Sequence, residues 1–283
     1  MQMRIGFHMS IYGSLDKAVD RALEIGCNTL QLFTRNPRGW AARPLRRNEI
    51  EMFIMKVNKS DIRPVFAHMP YLSNLASPRS EIYAKSVETL ITEMKRCEIL
   101  GIPYLVTHLG SHLGLGPKIG LENVVKAIDM AFSVAGERVI LLLENTAGTR
   151  NSIGGSFRDI EYILERTAYP EKVEICFDTC HAFAAGYDLR TEETIERTIN
   201  VIEESVGFNR LRLVHLNDSK GDLGSHIDRH EHIGLGKIGE EGFRNILRSK
   251  FARVPLILET PMNGRRSDLE NLIKVKELAG IKP

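Results

Sequence analysis

Cysteine is scarce in this chain and unpaired: Cys27, Cys97, Cys176 and Cys180 are the four present, and no two form a C-x-x-C pair. That argues against the thiolate-rich zinc knuckles and iron–sulfur centres built on such pairs. Cys27 and Cys97 read as buried packing residues, while Cys176 and Cys180 flank the end of one strand and receive no chemical role. Long apolar runs are also missing, since no stretch approaches the roughly 18 to 20 residues that span a bilayer. The opening MQMRIGFHMS lacks the apolar region and small-residue cleavage site of a secretory leader, so a cytoplasmic location is expected. An excess of one charge is absent too. With a net charge of +2, any anionic partner has to be held by a local patch rather than by bulk electrostatics. No Pro/Gly/Ser-rich linker interrupts the chain, and a single domain over residues 1–283 is expected.

What is present is a core-forming composition, 43% hydrophobic, arranged as short apolar runs alternating with longer amphipathic stretches. Eight runs are strand candidates: RIGFH, TLQLF, RPVFAH, PYLVTH, VILLLE, VEICFD, LRLVH and PLILE. They are rich in Val, Ile, Leu and Phe, as parallel strands covered on both faces should be. Between them lie helices such as Leu15 to Ile25, with Ser14 or Asp16 as cap, and Glu81 to Leu100, stopped by Gly101 and Pro103. The pattern predicts a (β/α)8 TIM barrel. Two connections exceed the usual length of about 2 to 6 residues: basic RNPRGWAARPLRR after strand 2, and the segment from Asn217 to Gly239 after strand 7.

The last residue or two of the candidates are His8, Phe33, His68, His108, Glu144, Asp178, His215 and Glu259. Strand ends of a barrel converge on one mouth, so His68, His108, Glu144, Asp178, His215 and Glu259 should share a space. His181 follows Asp178 in the same turn, and Asp228 and His230 sit in the second long loop. A lone strand-end His is usually a rim residue, and a lone Asp often caps a helix. Ionisable groups at six consecutive strand ends, above apolar interiors, instead predict metal ligands. Nine such groups exceed the roughly four that one zinc uses and imply two or three ions, zinc or manganese. His8, His112, His226 and His232 fit less well and are assigned supporting positions. Three divalent ions among four carboxylates and a hydroxide would leave about +1 in a low-dielectric pocket, suited to a phosphodiester.

EICFDTCHAFAAGYD from Glu174, LLENTAG from Leu142 and HLNDSKGDLGSHIDRHEHIGLG from His215 resemble the signature segments of endonuclease IV, the trinuclear-zinc abasic-site endonucleases. LFTRNPRGW, AHMPYLSNLASP and LILETP extend the resemblance over the full chain. It implies three Zn2+ per chain, with Mn2+ an alternative at one site. One ion takes His68, His108 and Glu144; a second takes bridging Glu144 with Asp178, His215 and Glu259; a third takes His181, Asp228 and His230. Glu144 and Glu259 would be the catalytic carboxylates, around a hydroxide that attacks the phosphodiester 5′ to an abasic nucleotide in duplex DNA. Arg38, Tyr71 and Leu72 match the family's DNA-inserting side chains, an aromatic–aliphatic wedge beside a guanidinium. The chain departs from many relatives at Thr149 and Arg150, where Gln and a small residue are usual, which touches DNA contacts but no ligand. A monomer without a protein partner is expected. A sugar isomerase or epimerase resembling xylose isomerase is the alternative. It needs only one or two metals, and leaves His181, Asp228, His230 and the Arg35 to Arg47 loop unexplained.

Overall fold

All eight apolar runs become strands and pair edge to edge in parallel. The computed structural model describes residues 3–281. Its strands are β1 (Ile5–Met9), β2 (Thr29–Leu32), β3 (Val65–His68), β4 (Tyr104–His108), β5 (Ile140–Glu144), β6 (Val173–Asp178), β7 (Leu211–His215) and, after a two-stranded hairpin, β10 (Leu256–Leu258). They follow one another around the barrel in chain order, and β10 closes on β1 through Ile5↔Leu256, Gly6↔Ile257 and Phe7↔Leu258. Closure needs β1 and β2 in close approach. Gly6 supplies it, because a Cβ there would lie 1.9 Å from the Thr29 carbonyl oxygen.

Nine α-helices occur among the described residues: α1 (Leu15–Glu24), α2 (Arg47–Lys59), α3 (Ser80–Leu100), α4 (Pro117–Ala135), α5 (Phe157–Arg166), α6 (Thr179–Ala185), α7 (Glu192–Ser205), α8 (Gly239–Arg248) and α9 (Asp268–Leu278). None of the helices described is long and apolar enough to cross a membrane. The stop expected after Leu100 is there: Gly101 adopts φ +69° and closes α3. Capping of α1 differs from expectation. Ser14 occupies the N-cap, but its hydroxyl donates to Asp16 Oδ1 at 2.5 Å and accepts no helix N–H, while Lys56 holds the other Asp16 oxygen at 2.6 Å.

Inside the barrel, Phe66, Val106, Leu142, Cys176, Leu213 and Ile257 form one fully buried apolar cluster. Alternate residues of a strand face the same side. The next inward-facing residue of each strand is therefore two positions on: His68, His108, Glu144, Asp178, His215 and Glu259. The larger cluster between strands and helices, including Leu105, Leu141, Leu143 and Val214, takes the outward positions. Strand periodicity thus sets six ionisable side chains one step above an apolar floor.

Candidate metal centre

Glu144 ends β5 with its side chain fully buried and four imidazoles around it. Its Oε2 lies 3.2 Å from His68 Nε2 and 3.5 Å from His108 Nε2, and its Oε1 lies 3.1 Å from His215 Nδ1 and 3.2 Å from His181 Nδ1. Burial alone would favour the neutral acid, yet His108 and His215 hold the Glu144 carboxyl well below its ordinary range. Glu259 behaves likewise: burial pushes it up, and His215 and His8 bring it well below the usual value. Burial by itself would lower the imidazoles, but Asp178 and Asp228 raise His181 well above 6.5. The two carboxylates and the His181 ring are thus held toward their charged forms, while burial lowers His108 and His8.

Ligand-competent atoms fall into overlapping sets whose members lie within 4.8 Å of one another: His68, His108 and Glu144; Glu144, Asp178, His215 and Glu259; Asp178, His181 and His230; and Cys180, Asp228 and His230. Asp178 divides its two oxygens between the helix that follows and the mouth. Its Oδ1 caps α6 by accepting from the His181 N–H at 2.7 Å, while Oδ2, held by Asn217 Nδ2 at 2.7 Å, faces His215 and His230. Asp228 and His230 arrive on the long loop after β7, which folds back as the hairpin β8 (Asp218–Ser219) and β9 (His230–Glu231). Asp228 Oδ1 then lies 3.1 Å from His181 Nε2 and 3.7 Å from His230 Nε2. Hydrogen bonding to His181 takes the Asp228 carboxyl down to about 2 against the opposing effect of burial.

Four of the five imidazoles, those of His68, His181, His215 and His230, have one nitrogen tied and the other aimed inward. His68 Nδ1 donates to the Met69 carbonyl at 2.7 Å, His181 Nδ1 to Asn145 at 2.9 Å and His230 Nδ1 to Glu259 at 3.0 Å. His230 Nε2 is buried without a hydrogen-bond partner, the condition of a ligand atom awaiting a cation. Cys180, given no role from sequence, comes beside Asp228 and His230, but burial pushes its thiol up to about 12. A thiol so hard to ionise suits packing better than ligation.

The four other histidines take supporting positions. His8 Nδ1 contacts Glu259 Oε1 at 2.7 Å; His112 accepts the Gly114 and Gly116 N–H groups; His226 donates to the Ala147 carbonyl; His232 sits between Asn263 and Asn271. Arg38 and Tyr71 line the same cleft as His68, His108, His181, Asp228, His230 and Glu259, a space of about 1360 Å³. Leu72 is exposed beside Tyr71, and Thr149 and Arg150 are exposed on the connection after β5. Sequence reasoning missed Gln31, a wholly buried amide in β2 that touches both His215 and Glu259. A lone amide between Leu30 and Leu32 in a buried strand was the available signal.

Fold and site together define a metal-competent TIM barrel, and the family described as xylose isomerase-like TIM barrels matches residues 19–277. The chain belongs more narrowly to the endonuclease 4 family. A probable endonuclease 4 of Methanoculleus marisnigri is 57% identical over 98% of this chain and 99% of its own length. That of Nitrosopumilus maritimus is 49% identical over 98% of this chain and its full length. The crystal structure of endonuclease IV from Thermus thermophilus superposes with a TM-score of 0.85 at 35% identity, covering 98% of both chains. A D-tagatose 3-epimerase-like protein at 19% identity and TM-score 0.70 shares the fold alone.

Proposed function

We propose that this chain is a DNA-repair endonuclease that hydrolyses the phosphodiester 5′ to abasic nucleotides in duplex DNA, leaving 3′-hydroxyl and 5′-deoxyribose phosphate ends. The observation that carries the reading is the convergence of His68, His108, Glu144, Asp178, His181, His215, Asp228, His230 and Glu259 on one mouth, in a chain of this family. The donor set is nitrogen and oxygen around anionic carboxylates, which fits three zinc ions, or two with manganese at one position. His68, His108 and Glu144 would hold one; Glu144, Asp178, His215 and Glu259 a second; His181, Asp228 and His230 a third. Bound zinc supplies the Lewis acidity that activates water near neutral pH and offsets charge on the phosphate.

The remaining work belongs to the chain's own groups. Glu144 and Glu259 stay ionised at the floor of the cleft, so they compensate cation charge and leave a site still able to accept an anionic ester. Arg38 offers its guanidinium to a phosphate at the rim. Tyr71, held edge-on to Phe33 with ring centroids 5.1 Å apart, pairs with Leu72 to fill the stack where a base is missing. Taking an abasic nucleotide out of the helix costs less than flipping an intact one, because no base pair is broken. One barrel domain, acting as a monomer in the cytoplasm, suffices for this chemistry. Incubation of zinc-loaded protein with a duplex carrying a single abasic analogue tests it. Cleavage 5′ to the lesion, lost in Glu259→Gln with DNA binding retained, is the expected result; an intact duplex after incubation with loaded wild type would sink the reading.

A further inference from the structure

Among the imidazoles with a tied nitrogen in this site, His215 is the exception. His68, His181 and His230 each donate through Nδ1 to a backbone carbonyl and turn Nε2 inward. His215 is reversed: its Nε2 lies 2.9 Å from Gln31 Oε1, and its Nδ1 faces Glu144, Glu259 and Asp178 at 3.1, 3.4 and 3.8 Å. A backbone carbonyl is present whatever the sequence. Here the orienting acceptor is a replaceable side chain from the opposite part of the barrel.

Gln31 reaches it because of strand register. Gly6↔Thr29 and His8↔Gln31 pair across β1 and β2, so Gln31 points into the barrel beside His8. The amide has two ends and both are used. While Oε1 accepts from His215, Nε2 donates to Glu259 Oε1 at 2.9 Å. His8 Nδ1 reaches the same oxygen at 2.7 Å and also lies 2.9 Å from Gln31 Nε2. With Oε1 so engaged, Oε2 is the Glu259 oxygen left to face His215 Nδ1.

The geometry points to Gln31 as a positioning residue that selects, through one amide, the nitrogen of His215 and the oxygen of Glu259 presented to a shared metal ion. This rests on the multi-metal reading above. An amide that can donate and accept at once is suited to the task. A methionine of similar length does neither: it frees His215 to rotate and Glu259 to turn its Oε1 inward. A carboxylate would keep the acceptor and lose the donor.

The test uses zinc-loaded full-length protein and graded competition by a soluble chelator, comparing wild type with Gln31→Met. Outer hydrogen bonds to metal ligands are worth about 10- to 100-fold in affinity. The expected result is a loss of that size for one ion, with the others held as in wild type. A purely packing role would predict uniform weakening or none. Histidine 15N spectra of zinc-loaded wild type supply a second reading that needs no variant, and should show one imidazole with metal at Nδ1 and an exchange-protected proton at Nε2, the proton losing its protection in Gln31→Met. Wild-type retention of every ion by Gln31→Met, or an Nε2-bound metal on His215 in wild type, would overturn the assignment. A wild-type protein that takes up no zinc would overturn the proposed function instead, and this inference with it.

Discussion

Arg38 is exposed at the tip of the connection after β2, where Asn36 Oδ1 accepts its backbone N–H at 3.0 Å and turns the chain outward. A side chain placed to meet a phosphate reveals itself through salt. Each phosphate contact releases close to one counterion, so Arg38→Ala should weaken DNA binding and reduce the slope of log K against log salt by about 0.9. Binding measured from low to moderate salt would show this, and an unchanged slope would return Arg38 to the ordinary surface. Residues of this kind differ in how far sequence exposes them. His68, His108, Glu144, Asp178, His215 and Glu259 were legible because each closes an apolar run, and barrel geometry sends all strand ends to one mouth. Gln31 was not. Its partners lie 184 and 228 residues away, and nothing in local spacing reports a hydrogen bond across a barrel.

At the scale of elements, α3 anchors the basic connection after β2. Glu93, fully buried on that helix, accepts from Thr34 Oγ1 at 2.6 Å and lies 3.0 Å from Arg35 Nε. Arg96, one turn on, donates to Thr34 Oγ1, to the Thr34 carbonyl and to the Arg43 carbonyl at 2.7, 2.5 and 2.9 Å. Arg35 in turn donates to the Trp40 carbonyl at 2.9 Å. Removing one member of a buried ionic group leaves the others uncompensated, at a cost of about 3 to 5 kcal/mol. Glu93→Leu should lose stability on that scale in urea denaturation and bind DNA more weakly, while Glu93→Gln, which keeps an acceptor for Thr34, should lose less. Equal stability of Glu93→Leu and wild type would contradict the anchoring. The eight barrel strands were readable as short apolar runs rich in Val, Ile, Leu and Phe, and the long helices as amphipathic stretches between them. Hairpin β8–β9 has two residues a strand, too few for any period, and Asp218 in it accepts the distant Gly236 and Ile238 N–H groups at 2.9 and 3.0 Å.

Over the whole molecule, the carboxylates of the mouth favour the charged form of two imidazoles. His181 and His215 lie well above their ordinary 6.5, so their contribution to folding stability is complete below that value and fades as pH rises through the raised ones. Glu144 and Glu259 act at the other end, contributing above about 4.5 and losing it as pH falls through their lowered values. Zinc bound as proposed would displace the imidazolium protons of His181 and His215, so calorimetric titrations in buffers of different ionisation enthalpy should register proton release near neutral pH, declining in alkali. Proton-neutral uptake would contradict these directions. Removing zinc with a chelator should also lower the thermal midpoint, since an ion bound only by the folded chain stabilises it by mass action. The apolar layer of Phe66, Val106, Leu142, Cys176, Leu213 and Ile257 separates these charges from the closed end of the barrel. Its consequence is modularity: chemistry sits on one storey and folding on the storey beneath. Reactive groups can be exchanged in evolution or design while the foundation stays in place, whereas a one-residue insertion below the mouth would rotate a strand's functional side chain out to the helices and idle the site in a barrel that still closes.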